Sequence, residues 1–206
     1  MKEFLDQGRF AIAVQVIICL SVLAVFLAVF LDFALYSRKA SVQTEKKSVV
    51  ETGTMTLFFI AFYAILRIGA GAVAIPSVAV KAVFIIIGTA MIAAGAAANI
   101  GGRLSLGKNW SNQIKIYREQ TFVRTGLYAV VRHPLYASII LMFYGACLVY
   151  RNIIALLAVT VVFVPFMRFR ARQEEKILTG RFPEYEEYRK RTGLFFPKLR
   201  DRRSHD

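Results

Sequence analysis

Long apolar runs separated by short polar stretches dominate the first half of the chain. They cover about residues 10–36, 54–75 and 78–100. A helix of about 20 apolar residues crosses the roughly 30 Å of hydrocarbon in a bilayer, so each run is long enough to span a membrane. Pro76 and Ser77 predict a tight turn between the second and third runs. These two runs are therefore predicted to form a helical hairpin.

Two shorter apolar stretches, about residues 135–150 and 153–167, follow a polar connector. Each is short for a full span. As a hairpin they would cross a thinned bilayer, cross with little tilt, or stop partway, and the sequence leaves these options open. The chain is predicted to be an all-α integral membrane protein with about five transmembrane helices and a helical cytosolic tail. Residues 1–100 hold the first three spans, and residues 101–206 hold the connector, the hairpin 135–167 and the tail.

The third run is rich in glycine and alanine, including Gly88 and Gly95. Small residues let helix backbones approach closely in lipid, where apolar side chains alone give little drive for association. This run is therefore predicted to be the most buried of the spans.

Composition and charge support a membrane location. The chain is 57% hydrophobic with a mean hydropathy of +0.52, which is more apolar than soluble domains. Its net charge of +14 comes from basic residues that flank the apolar runs, a pattern typical of the positive-inside rule and of contact with anionic lipid. Nucleic acid is therefore not an expected partner. With five crossings, the N-terminus is predicted outside and the basic tail in the cytosol, in a prokaryotic inner membrane or, in a eukaryote, the endoplasmic reticulum.

Two cysteines and three charged residues lie in or beside the apolar runs. Cys19 and Cys147 are expected to act as small hydrophobic residues, without a disulfide framework or a metal site. Asp32 and Lys81 lie near predicted span ends, where snorkelling would bring their charges to water. Arg67 lies deeper, and pairing within the bundle is favoured over binding of a ligand headgroup.

Candidate chemistry begins where the fourth run starts. Pro134 suits the first turn of a helix and disfavours helical geometry at the residue before it, so His133 is predicted at the N-terminal cap. A helix N-terminus favours a bound carboxylate, although a simple capped helix start is equally compatible with this pattern. Arg170 and Glu174 share one helix face, either as a site or as a surface ion pair. Aromatic residues at 182, 185 and 188 form a stripe expected to pack at the bilayer interface or onto the spans.

Four motifs occur in a fixed order. They are Gly126-Leu127-Tyr128, Arg132-His133-Pro134-Leu135-Tyr136, Arg170-x-x-x-Glu174-Glu175-x-x-Leu178 and Phe182-Pro183-Glu184-Tyr185-x-x-Tyr188. In this order and spacing, over about residues 106–197, the chain resembles the isoprenylcysteine carboxyl methyltransferase family. The resemblance implies a membrane enzyme that uses S-adenosylmethionine. Its cofactor pocket would be built from the last spans, the hairpin and the tail.

Site residues follow from the same resemblance. Arg170 matches the position on the substrate side. The segment 120–123 departs from the more common family pattern, since Gln120 and Phe122 replace histidine and leucine. The implied cofactor contacts are Gln113, Gln120, Thr121, Phe122, Val123, Tyr128, His133, Pro134, Leu135, Tyr136 and Glu174.

The expected reaction is methyl transfer from S-adenosylmethionine to a membrane-resident or lipophilic acceptor, such as the carboxylate of a prenylated cysteine. The expected partners are the lipid bilayer and a lipophilic or lipidated acceptor, with the oligomeric state left open. Three alternatives remain: methylation of a phospholipid amine or thiol, reduction with NADPH by a related membrane reductase, and a non-enzymatic membrane adaptor.

Overall fold

The computed structural model describes residues 2–36, 42–46, 49–107, 114–117 and 121–198, and most of them are helical. A 3₁₀ turn covers Gly126–Ala129 and a π-helical turn covers Val159–Phe163. Strands β1 (Val42–Lys46) and β2 (Ile114–Tyr117) pair as an antiparallel ribbon, which was not predicted. The α-helices are α1 (Lys2–Tyr36), α2 (Val49–Ile68), α3 (Val78–Leu106), α4 (Pro134–Tyr150), α5 (Ile153–Ala158), α6 (Val164–Arg181) and α7 (Tyr185–Arg191).

Five apolar helices match the five predicted runs, but their lengths differ. The segments Gly8–Leu35, Val78–Leu106 and Ile153–Arg181 are long and apolar enough to cross a membrane, whereas Gly53–Ile68 and Pro134–Tyr150 are shorter. The prediction of an integral membrane protein is therefore confirmed. The number of full crossings stays a prediction.

The second helix ends earlier than predicted. It stops at Ile68 rather than Ile75, because Gly69 and Gly71 both adopt a positive φ of 76°, which a right-handed helix excludes. The connection therefore begins well before Pro76. It ends at Ser77, whose side chain accepts a hydrogen bond from the Val80 amide and caps α3.

The last apolar run is longer than predicted, because α5, the π turn and α6 form one helix, Ile153–Arg181. The helix predicted in the tail is the continuation of this span. Within the π turn, the Val164 amide donates to the Val159 carbonyl, five residues back. The next residue, Pro165, has no N–H and would crowd the carbonyl four residues before it in a regular helix. A wider turn just before the proline relieves that clash.

Helices α3 and α4 pack so closely that their glycines leave no room for a side chain at the contact. A Cβ atom on Gly88 would lie 2.5 Å from the Gly145 carbonyl oxygen, and one on Gly95 would lie 2.8 Å from the Ser138 carbonyl oxygen. The predicted close approach through small residues is confirmed. However, α3 is not the most buried span. In its apolar stretch 22% of the residues are buried, against 28% in the apolar stretch of the helix Ile153–Arg181.

Gly145→Ala should therefore destabilise the protein by about 1 to 3 kcal/mol, because the new methyl group would lie 2.6 Å from the Gly88 carbonyl oxygen and force the helices apart. Thermal unfolding in detergent would measure the effect. Gly180→Ala is the matched control, because no atom of the described residues lies within 4 Å of a Cβ atom at that position. Equal unfolding temperatures for the two variants would contradict the close packing.

An aromatic cluster joins α2, α4 and the last helix. The ring of Phe143 lies 4.5 Å from that of Phe62 and 4.7 Å from that of Phe163, measured between centroids. Both contacts are edge-to-face, the arrangement that aromatic quadrupoles favour. Met167 belongs to the same core and is fully buried. This core fixes the start of α6 against α4.

Two of the three charged residues in or beside the apolar runs, Asp32 and Arg67, are placed differently from the prediction. Asp32 does not snorkel, because it is 8% exposed and forms an ion pair with Arg103 of α3 at 2.6 Å. Arg67 lies in the last turn of α2 and is exposed, so it is not deep in the bundle. Lys81 is exposed near the start of α3.

Candidate active site

His133 occupies the cap of α4, as its place before Pro134 predicted. The imidazole does not cap its own helix but lies against α6. Its Nδ1 is 3.4 Å from Glu174 Oε2, and its Nε2 is 3.4 Å from Glu175 Oε1. The side chain is only 6% exposed. A buried histidine is thus held between the carboxylates of two consecutive residues.

Tyr136, in the first turn of α4, extends this cluster. Its ring stacks parallel to the imidazole of His133, with centroids 5.6 Å apart and planes within 4°. Its hydroxyl donates a hydrogen bond to Glu174 Oε1. Phe195, from the C-terminal segment, packs edge-on against both rings. The start of α4, the last helix and the C-terminal segment therefore meet at one point.

Arg170 lies one turn before Glu174 on α6 and is buried. Its guanidinium donates to the Met55 sulfur of α2 at 3.0 Å and also interacts with Tyr136. The shared face predicted for Arg170 and Glu174 is confirmed, but it faces the protein rather than solvent. Glu174 is 27% exposed and is the more accessible of the two site carboxylates, since Glu175 is 8% exposed.

Electrostatics favour the protonated form of His133. Burial lowers its pKa, but the polar contacts with Glu174 and Glu175 and their negative charges outweigh burial and raise the pKa above the usual 6.5. Nε2 is buried without a hydrogen bond of good geometry among the described residues. The imidazolium is therefore held mainly by charge attraction.

This shift predicts a pH-dependent stability. A raised pKa in the folded state stabilises the protein fully below the unfolded pKa of about 6.5, and the contribution disappears as pH rises through the folded pKa. We expect the unfolding temperature in detergent to fall from pH 6 to pH 9, by an amount that His133→Gln removes. The effect is about 1.4 kcal/mol for each unit of pKa difference. A slope that survives His133→Gln would contradict the assignment.

Arg132 fastens the C-terminal segment to the site. Its side chain donates to Glu175 on α6 and to the backbone carbonyls of Thr192 and Arg189 at the end of α7. The backbone adds two bonds, from the Arg132 amide to the Gly193 carbonyl and from the His133 amide to the Leu194 carbonyl. One arginine thus holds three chain segments together.

An aromatic wall supports the other side of α7. The ring of Phe122 lies 5.7 Å from that of Phe182, 5.4 Å from that of Tyr185 and 5.0 Å from that of Tyr188, between centroids. The predicted stripe therefore packs onto the protein, with Tyr185 2% exposed. Tyr188 donates to the carbonyl oxygen of Tyr128, which is itself buried. Burial raises the pKa of the Tyr128 phenol, so the hydroxyl stays neutral.

The structure brings only part of the expected site together. His133, Tyr136, Arg170 and Glu174 form one cluster. Pro134 and Leu135 instead lie beside Gly102 of α3. Tyr128 is close enough to Glu174 for that charge to help burial raise the pKa of the phenol, and its carbonyl oxygen accepts from Tyr188 of α7. Thr121, Phe122 and Val123 lie on the segment that precedes it. Gln113 and Gln120 lie outside the described residues.

Sequence reasoning assigned no role to Glu175 and Arg132, although both stand in the quoted motifs. Glu175 contacts His133 and Arg132, and it accepts a hydrogen bond from Tyr185 at 3.4 Å. The sequence did contain a signal for this pair. Arg132 and Glu175 carry opposite charges and border the ends of apolar helices, where a buried acid needs a partner.

Two relatives align with part of the chain. The cobalt-zinc-cadmium resistance protein CzcN of Cupriavidus metallidurans is 32% identical over 82 residues, 40% of this chain and 38% of that protein. The nickel-cobalt-cadmium resistance protein NccN of Alcaligenes xylosoxydans xylosoxydans is 31% identical over 96 residues, 46% of this chain and 45% of that protein. The chain thus covers less than half the length of either relative.

A family model matches residues 82–180, a range that contains the His133, Tyr136, Arg170, Glu174 and Glu175 cluster. The match starts inside α3, earlier than the motifs indicated, and ends before Phe182. The resemblance drawn from the motifs is confirmed over this range: residues 82–180 match the model of the isoprenylcysteine carboxyl methyltransferase family.

Proposed function

We propose that this protein transfers a methyl group from S-adenosylmethionine to a carboxylate on a membrane-resident or lipophilic acceptor. The observation that carries the proposal is the convergence of the α4 start with α6, where His133 and Tyr136 contact Glu174 within a domain of a methyltransferase family. The apolar helices supply the membrane setting.

The cluster fits the groups of the methyl donor. S-adenosylmethionine carries a sulfonium and an amine, both cations, and a carboxylate. Glu174 is the partly exposed acid that would attract a cation, and the stacked ring of Tyr136 would add a cation–π contact of about 0.5 to 2 kcal/mol. The N-terminus of α4 carries a partial positive charge that suits a carboxylate. Those residues would hold the donor, and the buried His133 would keep Glu174 oriented.

When bound, S-adenosylmethionine supplies an electrophilic methyl group on a positively charged sulfur. The acceptor carboxylate needs no base, so the protein's task is alignment. Arg170 presents a planar fork of donors suited to a carboxylate, and it lies one turn from Glu174. Its contact with Met55 places it at the junction of α2 and α6, where apolar surroundings exclude water and strengthen attraction between opposite charges.

The protonation of His133 favours a carboxyl acceptor over an amine. An amine acceptor must lose a proton to a base. The two carboxylate neighbours of His133 raise its pKa, which lowers the fraction of the free base available to take that proton. Glu174 already accepts from Tyr136. A carboxylate nucleophile requires neither residue as a base.

The proposed setting follows the charge pattern. The basic C-terminal part faces the cytosol, the N-terminus lies outside, and the chain crosses the inner membrane of a prokaryote or, in a eukaryote, the endoplasmic reticulum five times. The methyl donor then arrives from water and the acceptor from the bilayer.

The test uses purified full-length protein in lipid nanodiscs, S-adenosylmethionine labelled in the methyl group, and lipid extracts with or without a prenylated cysteine. We expect saturable binding of the donor and a labelled product that releases volatile methanol under base. A base-stable product would replace the carboxyl acceptor with an amine or thiol. Saturable binding of NADPH without binding of S-adenosylmethionine would overturn methyl transfer.

A further inference from the structure

Helix α1 buries a single charged side chain. Between residues 8 and 35, the part of α1 whose side chains the structure describes, Asp32 is the only buried residue. Most apolar side chains of α1 are exposed, as the 69% exposure of Phe26 illustrates, whereas Ile18, Val25 and Val29 are half-buried. An apolar helix that turns its acid inward is unusual, because burial of a carboxylate is unfavourable unless the group is paired.

The partner of Asp32 begins a chain of hydrogen bonds. Arg103 Nη1 donates to Asp32 Oδ2 at 2.6 Å, and Arg103 Nε donates to Asn99 Oδ1 at 2.8 Å. The fully buried Asn99 then donates from Nδ2 to Ser138 Oγ at 2.8 Å and to the Leu135 carbonyl at 3.4 Å. The chain of bonds therefore leads from α1 through the last turns of α3 to α4.

The end of this chain is the first turn of α4, the turn that presents Tyr136 to Glu174. Ser138 also donates to the Leu135 carbonyl at 2.7 Å, so Asn99 and Ser138 hold one backbone carbonyl from two directions. A polar network in which each member has a partner fixes orientation more strictly than apolar packing does.

We propose that Asp32 and Arg103 are positioning residues, which act through Asn99 to fix the first turn of α4 and with it the orientation of Tyr136 at the candidate active site. This inference rests on the proposed function for its effect on the methyl donor, whereas the structural effect on α4 does not. The rival explanation is that the ion pair only attaches α1 to α3.

Arg103→Lys separates the two explanations. A lysine keeps a positive charge for Asp32 but lacks the planar fork that reaches Asp32 and Asn99 together. Attachment of α1 alone would survive this change, whereas positioning of α4 would not. Asp32→Asn removes the charge, and Asp32→Glu is the conservative rescue. Ser21→Ala is the matched control on α1, because in the described part of the chain the Ser21 hydroxyl bonds within its own helix, to the Ile17 carbonyl.

The first measurement is hydrogen exchange by mass spectrometry on the full chain in nanodiscs without the methyl donor. We expect amide exchange in residues 134–140 to be about tenfold faster in Arg103→Lys and Asp32→Asn, with Asp32→Glu and Ser21→Ala close to wild type. Wild-type exchange at residues 134–140 in Arg103→Lys would overturn the proposal. Equal acceleration across all helices would also overturn it, since that result indicates general loss of packing.

The second measurement is the dissociation constant of labelled S-adenosylmethionine. We expect it to rise about tenfold in Arg103→Lys, because a small misplacement of contacting groups is enough for such a loss. If wild-type protein binds no S-adenosylmethionine, the proposed function fails while the exchange result still decides the positioning role. If wild-type binds and Arg103→Lys binds equally well despite faster exchange, the positioning of Tyr136 is overturned while the proposed function stands.

Discussion

Glu174→Gln should weaken the binding of S-adenosylmethionine by about 30-fold or more, since removing one member of a desolvated charge pair loses about 2 kcal/mol or more. Glutamine keeps the size of the side chain and an oxygen that can accept from Tyr136. It removes the negative charge that faces His133 and, in the proposed function, the cationic donor. Binding of labelled donor to the full-length protein in nanodiscs would measure the change.

The matched control is Glu186→Gln on α7. Glu186 is 44% exposed and pairs with Arg189 at 3.1 Å on the surface, so its loss should leave donor binding unchanged. The pH dependence of stability provides a second comparison, because Glu174→Gln removes one of the two charges that raise the pKa of His133. Wild-type donor affinity in Glu174→Gln would remove Glu174 from the site.

Arg132→Leu should destabilise the protein by about 3 kcal/mol, the lower end of the range for breaking one partner of a buried ion pair. The Arg132 side chain is 10% exposed and the Glu175 side chain 8%. The substitution leaves Glu175 without its arginine and the carbonyls of Thr192 and Arg189 without a donor. The segment from Gly180 onward should then come away from the site. The expected observations are a lower unfolding temperature and faster tryptic cleavage after Arg181.

Two variants test whether the loss of the Arg132 side chain itself causes the lower stability and the faster cleavage. Arg189→Leu removes a surface arginine of α7, 48% exposed, and should change neither stability nor cleavage after Arg181. Arg132→Leu with Glu175→Leu removes both charges and should recover part of the stability, because apolar groups often replace a buried pair without loss. A cleavage rate in Arg132→Leu equal to that of wild type would show that the aromatic wall around Phe122 holds the segment alone.

Hydropathy predicted the apolar helices because bilayer crossing depends on a property of each residue and not on its partners. The cap at His133 was predictable for a similar reason, since Pro134 restricts the backbone of its neighbour locally. Local signals were also overlooked. Gly69 and Gly71 mark the end of α2, but the apolar residues beyond them extended the run to Ile75. The alternation in Ile114-Lys115-Ile116-Tyr117 is typical of a strand, and it forms β2.

Partners distant in sequence were not predictable from one sequence. Asp32 and Arg103 are 71 residues apart, and no spacing rule connects a residue of the first span with one at the end of the third. The same holds for the carboxylates around His133, because Glu174 and Glu175 are equally acidic and only the fold shows that both reach the imidazole. Patterns place residues on helices, and packing decides which helices meet.

The π turn at Val159–Phe163 sets the rotation of everything after it. Apart from Arg170, the buried positions of the last helix recur every four residues, at Ala155, Val159, Phe163, Met167, Ala171 and Glu175. In a regular α-helix each four-residue step advances by about 40°, so the stripe would rotate by about 200° over these five steps. The wide turn offsets part of that drift. The number of residues between Asn152 and Arg170 therefore decides which way the site residues point. Removing one residue there would rotate Arg170, Glu174 and Glu175 by about 100° around the helix axis, towards lipid and water.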